Sequence, residues 1–251
     1  MSIEPLTHGP GRVRGPEELH RIAEWGAGQL AGATAQQVVR WAAETFGRNL
    51  VIACSMAADT VVPHLFAQRI PGVDVLFLQT GFHFAETLGT RDALAHSLDI
   101  TLVEALPRIT VDEQEATWGP RLFEHDPAKC CMIRKVEPIN RELGSYEAWV
   151  TGLKRVDNPL RAHSGLVEWD EAHQMVKINP IVAWTDEQVR EYADRHSIPV
   201  NWLLDEGYPS IGCEPCTRPV APGEDPRSGR WAGHAKTECG LHQLPGVEET
   251  R

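Results

Sequence analysis

The stretch Leu50-Val51-Ile52-Ala53-Cys54, followed by Ser55-Met56-Ala57-Ala58-Asp59, decides the fold class of this chain. The first five residues form a continuous apolar run, which is typical of a strand that helices cover on both faces. The next five form a polar turn, and a helix containing Leu65 and Phe66 follows. We therefore interpret this region as a buried strand, a turn and a helix.

The same pattern recurs along the chain. Residues 73–78 predict a second strand, a turn at 79–83 and a helix at about 84–97 come next, and residues 100–104 and 148–152 predict further strands. Strands that alternate with helices predict an α/β fold with a doubly wound, mostly parallel sheet, whose ligands bind at the carboxyl ends of the strands. The two turns are then expected to face a nucleotide, although they lack a Gly-rich fingerprint and an ordinary polar loop fits them as well. Their candidate substrate-binding residues are Ser55, Asp59, Thr80 and Gly81.

The two ends of the chain differ from its middle. Residues 1–15 are rich in Gly and Pro and predict a loose arm, with order beginning at Pro16. Capping boxes at Thr34 and Thr185 predict helix starts, and residues 167–169 and 175–178 predict a hairpin. Residues 217–230 combine Pro, Gly and charge without hydrophobic periodicity. We expect one α/β domain at 16–216 and a mobile carboxyl-terminal segment at 217–251 that can act as a lid.

Composition limits the function classes. The 251 residues are 42% hydrophobic and carry a net charge of −11, and this negative charge argues against a non-specific nucleic-acid binder. Any anionic ligand must therefore be held by a local group of Arg and Lys side chains. The sequence has no signal-peptide pattern and no apolar run of membrane-spanning length, so we expect a cytoplasmic protein that does not bind membranes. The sequence does not decide the oligomeric state, and a homo-oligomer is one possibility.

Two cysteine pairs stand out. Cys130 and Cys131 are adjacent and lie beside Lys129, Arg134 and Lys135, and a later turn contains Cys213 and Cys216. In a reducing compartment such pairs are better interpreted as metal ligands than as a disulfide framework. Four thiolates suit either zinc or an iron–sulfur cluster, and spacing alone does not decide between them. The simpler alternative is four buried free cysteines.

Basic residues and a further cysteine extend this picture. Lys154, Arg155 and Arg161 follow the strand at 148–152, where they are either solvated charges or anion ligands. Cys239 lies in a Gly-flanked polar stretch and is a candidate nucleophile, whereas Cys54 is expected to be an inert strand residue. The cationic residues that would lower the pKa of the Cys239 thiol are Lys236, Arg227, Arg230 and His242.

Taken together, these motifs resemble the assimilatory adenylyl-sulfate reductases of the APS/PAPS reductase family, whose fold is adenine nucleotide alpha-hydrolase-like. The resemblance covers roughly residues 50–242. It rests on Cys130-Cys131-x-x-Arg134-Lys135-x-x-Pro138, Trp149-Val-Thr-Gly152-x-x-Arg155, Cys213-x-x-Cys216, Gly229-Arg230-Trp231 and Glu238-Cys239-Gly240-Leu241-His242. The paired cysteines and the Glu-Cys-Gly-Leu-His stretch carry its specificity.

The resemblance implies reduction of adenosine 5′-phosphosulfate (APS). In that chemistry Cys239 attacks the sulfur, AMP leaves, and a thioredoxin thiol releases sulfite from the S-sulfocysteine. Catalytic roles are implied for Cys239, Lys135 and His242, and a four-iron, four-sulfur (4Fe-4S) cluster is implied on Cys130, Cys131, Cys213 and Cys216. The residues implied or proposed to bind the substrate's anionic groups are Arg155, Arg161, Arg227 and Arg230.

Two positions depart from the family pattern, and three alternatives stay open. Met56 stands where the family's first loop has glycine, and Gln79 replaces the acid of its second loop. The alternatives are a reductase of the 3′-phosphorylated substrate (PAPS), an ATP pyrophosphatase or sulfurtransferase, and a zinc-stabilised binding module. The four cysteines favour APS, since PAPS-using relatives typically lack them.

Overall fold

The computed structural model describes residues 9–234, 236 and 240, and a six-stranded sheet with helices on both faces forms its centre. The strands are β1 (Leu50–Ala53), β2 (Val73–Leu78), β3 (Ile100–Ala105), β4 (Ala148–Thr151), β5 (Val167–Asp170) and β6 (Met175–Ile178). The helices are α1 (Pro16–Gln29), α2 (Ala35–Phe46), α3 (Val61–Ala67), α4 (Ala85–Ser97), α5 (Val111–Trp118), α6 (Leu122–His125), α7 (Pro127–Cys131), α8 (Glu137–Leu143) and α9 (Asp186–His196).

The sheet has the doubly wound topology that the sequence predicts. Its strand order is β3-β2-β1-β4-β6-β5, and each neighbouring pair is parallel except β5 and β6, which form the predicted hairpin. Ile52 of β1 pairs with Val75 of β2 on one side and with Val150 of β4 on the other. The chain therefore winds outward in both directions from β1 and β4, and the loops after these strands border the switch point where such sheets bind ligands.

The central strands are continuous apolar runs because both faces of the sheet are covered. Leu50, Val51, Ile52 and Val150 are all fully buried. Helices α2, α3 and α9 contribute to the core on one face, while Ile139 and Leu143 of α8 pack on the other. Burying a side chain of this size stabilises the fold by roughly 1.5–3 kcal/mol.

Helix starts follow the predicted capping boxes. The Thr34 hydroxyl accepts a hydrogen bond from the Gln37 amide nitrogen at 3.3 Å, and the Gln37 side chain accepts one from the Thr34 nitrogen at 2.8 Å. Thr185 begins α9 in the same way. A third capping box, at Thr110, begins α5, a helix that was not predicted from the sequence. No helix in the described part of the chain is long and apolar enough to cross a membrane.

Residues 12–14 of the predicted amino-terminal arm make specific contacts with the rest of the chain, whereas the sequence predicts that order begins at Pro16. Arg12 donates to the carbonyl oxygens of Tyr146, His173 and Gln174 at 2.6–3.0 Å. Arg14 forms an ion pair with Glu147, whose side chain is completely buried. The two guanidinium groups satisfy buried acceptors at the amino end of β4, which fixes residues 11–14. The prediction for residues 1–8 lies outside the described residues.

The segment after Cys216 is fastened at both ends. Thr217 and Arg230 form an antiparallel bridge, and the Arg218 nitrogen donates to the Gly229 carbonyl at 3.0 Å. Trp231 is buried, whereas residues 221–226 are exposed as predicted for a surface loop. Mobility of the segment and the domain boundaries stay predictions. Residues 235, 237–239 and 241–251 lie outside the described residues, and with them Cys239 and His242.

Candidate active site

Asp59 closes the first loop. Its carboxylate accepts hydrogen bonds from the Ser55 nitrogen at 2.7 Å, the Ser55 hydroxyl at 3.0 Å and the Ala57 nitrogen at 3.1 Å. Met56 has a φ of 59°, a conformation that favours glycine. Its side chain is fully buried and packs into the core, with its sulfur 3.7 Å from that of Cys54. Methionine therefore keeps the left-handed turn and leaves the ligand side of the loop open.

The second loop links the strand edge to the cysteines. Thr80 is completely buried, and its hydroxyl accepts hydrogen bonds from the Phe82 nitrogen at 3.2 Å and the Cys213 thiol at 3.5 Å. The neighbouring His83 is largely buried, and this burial lowers its pKa to about 4. Gly81 adopts a φ of 80° and makes the turn, but it does not line the ligand cavity.

A cavity of about 490 Å³ lies at the carboxyl edge of the sheet, bounded by the loops after β1, β2 and β4. This volume falls within the range of small-molecule sites. The predicted site residues that line it are Ser55, Asp59, Thr80, Lys135, Arg161, Arg227 and Arg230. The fold thus brings together residues that are spread over most of the sequence.

Two arginines from the carboxyl-terminal segment form part of the cavity wall. Arg230 donates to the Ser210 hydroxyl at 3.1 Å and to the Ile211 carbonyl at 3.2 Å, and its guanidinium lies 4.6 Å from the centre of the Trp231 ring. Arg227 donates to the same hydroxyl at 3.4 Å. The Ser210 hydroxyl and the Ile211 carbonyl are neutral acceptors, and these bonds orient the two guanidinium groups.

The basic residues after β4 divide into two groups. Lys154 and Arg161 are buried and line the cavity, and both form ion pairs with Asp157. Burial by itself would lower the pKa of Lys154, but Asp157 and Asp186 outweigh it and hold that pKa above its usual value. Lys154 thus lines the cavity, although it was not among the residues predicted to bind the substrate.

Arg155 is a predicted anion ligand that the structure places outside the lining of this cavity, and its role stays a prediction. It is exposed, its Nε donates to the Ser164 carbonyl at 2.8 Å, and it does not line the cavity. The chain turns as a 3₁₀ segment at Arg155–Asp157, which directs the Arg155 side chain away from the cavity. Lys154 and Arg155 both follow the end of the strand, so their sequence positions alone did not indicate which of them lines the cavity.

The four paired cysteines line a second, smaller cavity together with apolar side chains such as Phe82 and Phe123. None of the four forms a disulfide bond with another described cysteine. Burial and, to a smaller extent, the neighbouring thiols together raise the pKa of Cys130 to about 12. Burial and the thiols of Cys213 and Cys131 likewise raise the pKa of Cys216 to about 11.

These cysteines suit a group that ligates thiolates. Closely placed thiols in an apolar cavity stay protonated unless a cation stabilises their ionised form. No group of three or more His, Cys, Asp or Glu side chains within residues 9–234, 236 and 240 has the arrangement of a site for a single metal ion. A four-iron cluster differs from such a site because each thiolate binds its own iron atom.

A π-helical turn joins the two cavities. Met132–Val136 lies between α7, which carries Cys130 and Cys131, and α8. Inserting a π turn rotates the residues that follow it, and such turns are common at functional sites. Lys135 consequently lines both cavities, as do Arg230 and Trp231. The ligand cavity and the thiol cavity therefore share one wall that carries positive charge.

A doubly wound, mostly parallel sheet with a cation-lined cavity at its carboxyl edge places this chain in the class of α/β proteins that bind ligands at the switch point of the sheet. The model of the phosphoadenosine phosphosulfate reductase domain matches residues 49–219. The chain belongs to this family, which confirms the resemblance found in its sequence.

Relatives that share one name match nine-tenths of the chain. An adenosine 5′-phosphosulfate reductase of Rhodococcus opacus is 53% identical over 234 residues, covering 90% of this chain and 95% of the relative. One of Mycolicibacterium smegmatis is 54% identical over 225 residues with the same coverage. The crystal structure of a phosphoadenylyl-sulfate reductase from Candida auris superposes with a TM-score of 0.66 at 26% identity, covering 84% of this chain and all of that one.

Proposed function

We propose that this chain reduces adenosine 5′-phosphosulfate to sulfite and AMP with electrons from thioredoxin. The observation that carries the proposal is the cavity wall in which Lys135, Arg227 and Arg230 converge beside the two nucleotide loops. A phosphosulfate places two adjacent anionic groups, and three cations at one wall of a nucleotide cavity match that charge. The names of the two bacterial relatives support the same substrate.

The proposed reaction has two steps. The Cys239 thiolate attacks the sulfur of the sulfate group, a sulfur–sulfur bond forms, and the bond from that sulfur to the bridging oxygen breaks to release AMP. A thioredoxin thiolate then attacks the Cys239 sulfur and releases sulfite, leaving a mixed disulfide that the second thioredoxin thiol resolves. Thioredoxin is oxidised to its disulfide, and the sulfur of the substrate gains two electrons.

The cavity cations stabilise the departing nucleotide. Negative charge grows on the bridging oxygen as AMP leaves, so fixed positive charge binds the transition state more strongly than the substrate. We assign this role to Lys135, Arg227 and Arg230, with Arg161 as a further anion ligand and His242 as an active-site residue. Asp59 keeps the first loop closed, and Ser55, Thr80 and Gly81 form the loops that border the nucleotide.

We propose a four-iron, four-sulfur cluster on Cys130, Cys131, Cys213 and Cys216. When bound, the cluster supplies structural cross-linking and a local electric field, while thiols supply the electrons. Zinc on the same thiols remains the alternative, and iron and sulfide analysis of anaerobically purified protein distinguishes them. Dependence on thioredoxin suits a reducing compartment, and we propose the cytoplasm.

The test is a single-turnover experiment without thioredoxin. We expect wild type to release about one AMP per site and to keep a sulfonate adduct on Cys239, because the intermediate cannot be resolved. Cys239→Ser is expected to bind the nucleotide, keep its iron and release no AMP. Cys54→Ala is the matched control: burial raises the pKa of the Cys54 thiol well above its usual value, so its loss leaves the adduct unchanged. An adduct on Cys54 or on a paired cysteine would refute the mechanism.

A further inference from the structure

Gln114 lies completely buried on α5 and holds the side chain of Arg134. The Arg134 Nε donates to the Gln114 Oε1 at 2.8 Å, and its Nη1 donates to the Thr80 carbonyl at 3.2 Å. The guanidinium also lies 5.4 Å from the centre of the Phe82 ring. With an exposed fraction of 3%, Arg134 is a buried cation whose position is fixed on three sides.

The fourth side of Arg134 faces the cysteines. Arg134 lines the thiol cavity together with Cys130 and Cys213. Its Nη2 is buried and has no hydrogen-bond partner among the described residues. Leaving a buried charged donor unpaired is costly, which points to an acceptor that occupies the cavity.

We propose that Gln114 is a positioning residue that aims Nη2 of Arg134 into the thiol cavity, where it donates a hydrogen bond to a sulfur of the cluster. This inference rests on the proposed four-cysteine cluster. A cluster with four thiolate ligands carries net negative charge, and hydrogen bonds to its sulfurs and nearby charge set its reduction potential. The buried guanidinium supplies both, and the apolar surroundings strengthen their effect.

An amide at position 114 suits this task better than a carboxylate. Its oxygen accepts from Nε, as the assigned amide orientation has it, without neutralising the guanidinium. The same guanidinium holds the Thr80 carbonyl, so one side chain anchors both the thiol cavity and the second nucleotide loop. Outer-shell partners of this kind typically change metal retention by about 10–100-fold when they are removed.

The experiment compares two variants of Gln114 with a control on the same helix. Gln114→Leu keeps the volume but releases Arg134, and Gln114→Glu keeps an acceptor oxygen but neutralises the guanidinium. Thr110→Ala removes the capping box of α5 and thereby destabilises this helix without touching Arg134. For each full-length protein the measurements are iron and sulfide content, iron loss to a chelator, and the midpoint potential from an anaerobic dithionite titration followed by electron paramagnetic resonance.

We expect both Gln114 variants to have a more negative midpoint potential than wild type, since positive charge beside the cluster favours its reduced form. Gln114→Leu is expected to lose iron to the chelator about 10-fold faster or more. Thr110→Ala is expected to lower the melting temperature but keep the wild-type potential. If Gln114→Leu takes up no iron while Thr110→Ala does, the positioning role is supported. The midpoint potential is then measured on Gln114→Glu.

Unchanged potentials and chelator rates in both Gln114 variants would overturn the inference. A wild type that reduces APS yet contains no iron would overturn it together with the cluster, leaving the proposed reaction intact. A wild type that contains the cluster but does not reduce APS would refute the proposed reaction, and the potentials would still decide the role of Gln114.

Discussion

Gly152 follows β4 directly and touches Asp59, so the substitution Gly152→Ala tests how tightly the first loop must be placed. A Cβ atom at position 152 would lie 2.3 Å from the Asp59 Cβ and 3.3 Å from its Cα. Gly152 does not have a positive φ, so the conflict is one of space alone. Because the Cα of Asp59 is also close, rotation of the Asp59 side chain cannot relieve the contact.

The expected effect follows from these distances. Carbon atoms pack at about 3.5–4.0 Å, so the two Cβ atoms must separate by more than about 1 Å. Displacing Asp59 would disrupt the hydrogen bonds that its carboxylate accepts from Ser55 and Ala57. Overpacking of this kind costs about 1–3 kcal/mol of stability, and each kcal/mol lowers the melting temperature by about 2–4 °C in a chain of this size. A displacement of about 1 Å at a substrate site can lower turnover by about 10²-fold.

The assay is calorimetric titration with AMP, combined with scanning calorimetry and kcat/KM for APS. The matched control is Gly89→Ala within α4, where an added Cβ meets no atom within 4 Å. Alanine favours a helix interior by about 1 kcal/mol, so this control gains stability and keeps its AMP affinity. Equal AMP affinity and kcat/KM for Gly152→Ala and Gly89→Ala would refute the reasoning that the first loop is set by this contact.

Three further predictions concern the thiols, the substrate and pH. Cys213→Ser is expected to lose the iron and lower the melting temperature, because ligation contributes folding free energy; retention of four irons would contradict it. APS is expected to give a higher kcat/KM than its 3′-phosphorylated form under one thioredoxin regime, and a reversed preference would mean that the four cysteines do not mark substrate choice. Burial lowers the pKa of folded His83 to about 4 from 6.5, so the unfolded chain binds the extra proton between these pH values and stability falls as pH decreases through this window. His83→Gln is expected to flatten the dependence of melting temperature on pH between 4 and 6.5, and the same slope in both proteins would show that other groups cause it.

The sequence by itself determined the sheet and indicated which four cysteines form the thiol cavity. The apolar run at 50–54 predicts a strand covered on both faces, because only such a strand excludes polar side chains from both of its sides. Helix starts at Thr34 and Thr185 follow from capping interactions within four residues. The two cysteine pairs were recognisable because their spacing is a local property.

Tertiary structure decided which way the side chains at the site point. Lys154 and Arg155 are neighbours with the same charge, yet one lines the cavity and the other bonds to the Ser164 carbonyl. Met56 takes a glycine-like turn because its side chain finds space in a core built by distant elements.

Buried polar partners were equally beyond the sequence. Arg12 and Arg14 order an arm of loop-like composition, because their acceptors come from Thr45 and from residues 146–174. Gln114 meets Arg134 across a helix that periodicity did not reveal, since α5 is short and only one of its residues is buried. Hydrophobic periodicity records how much of an element is buried, whereas a hydrogen bond between distant residues depends on where the whole chain places them.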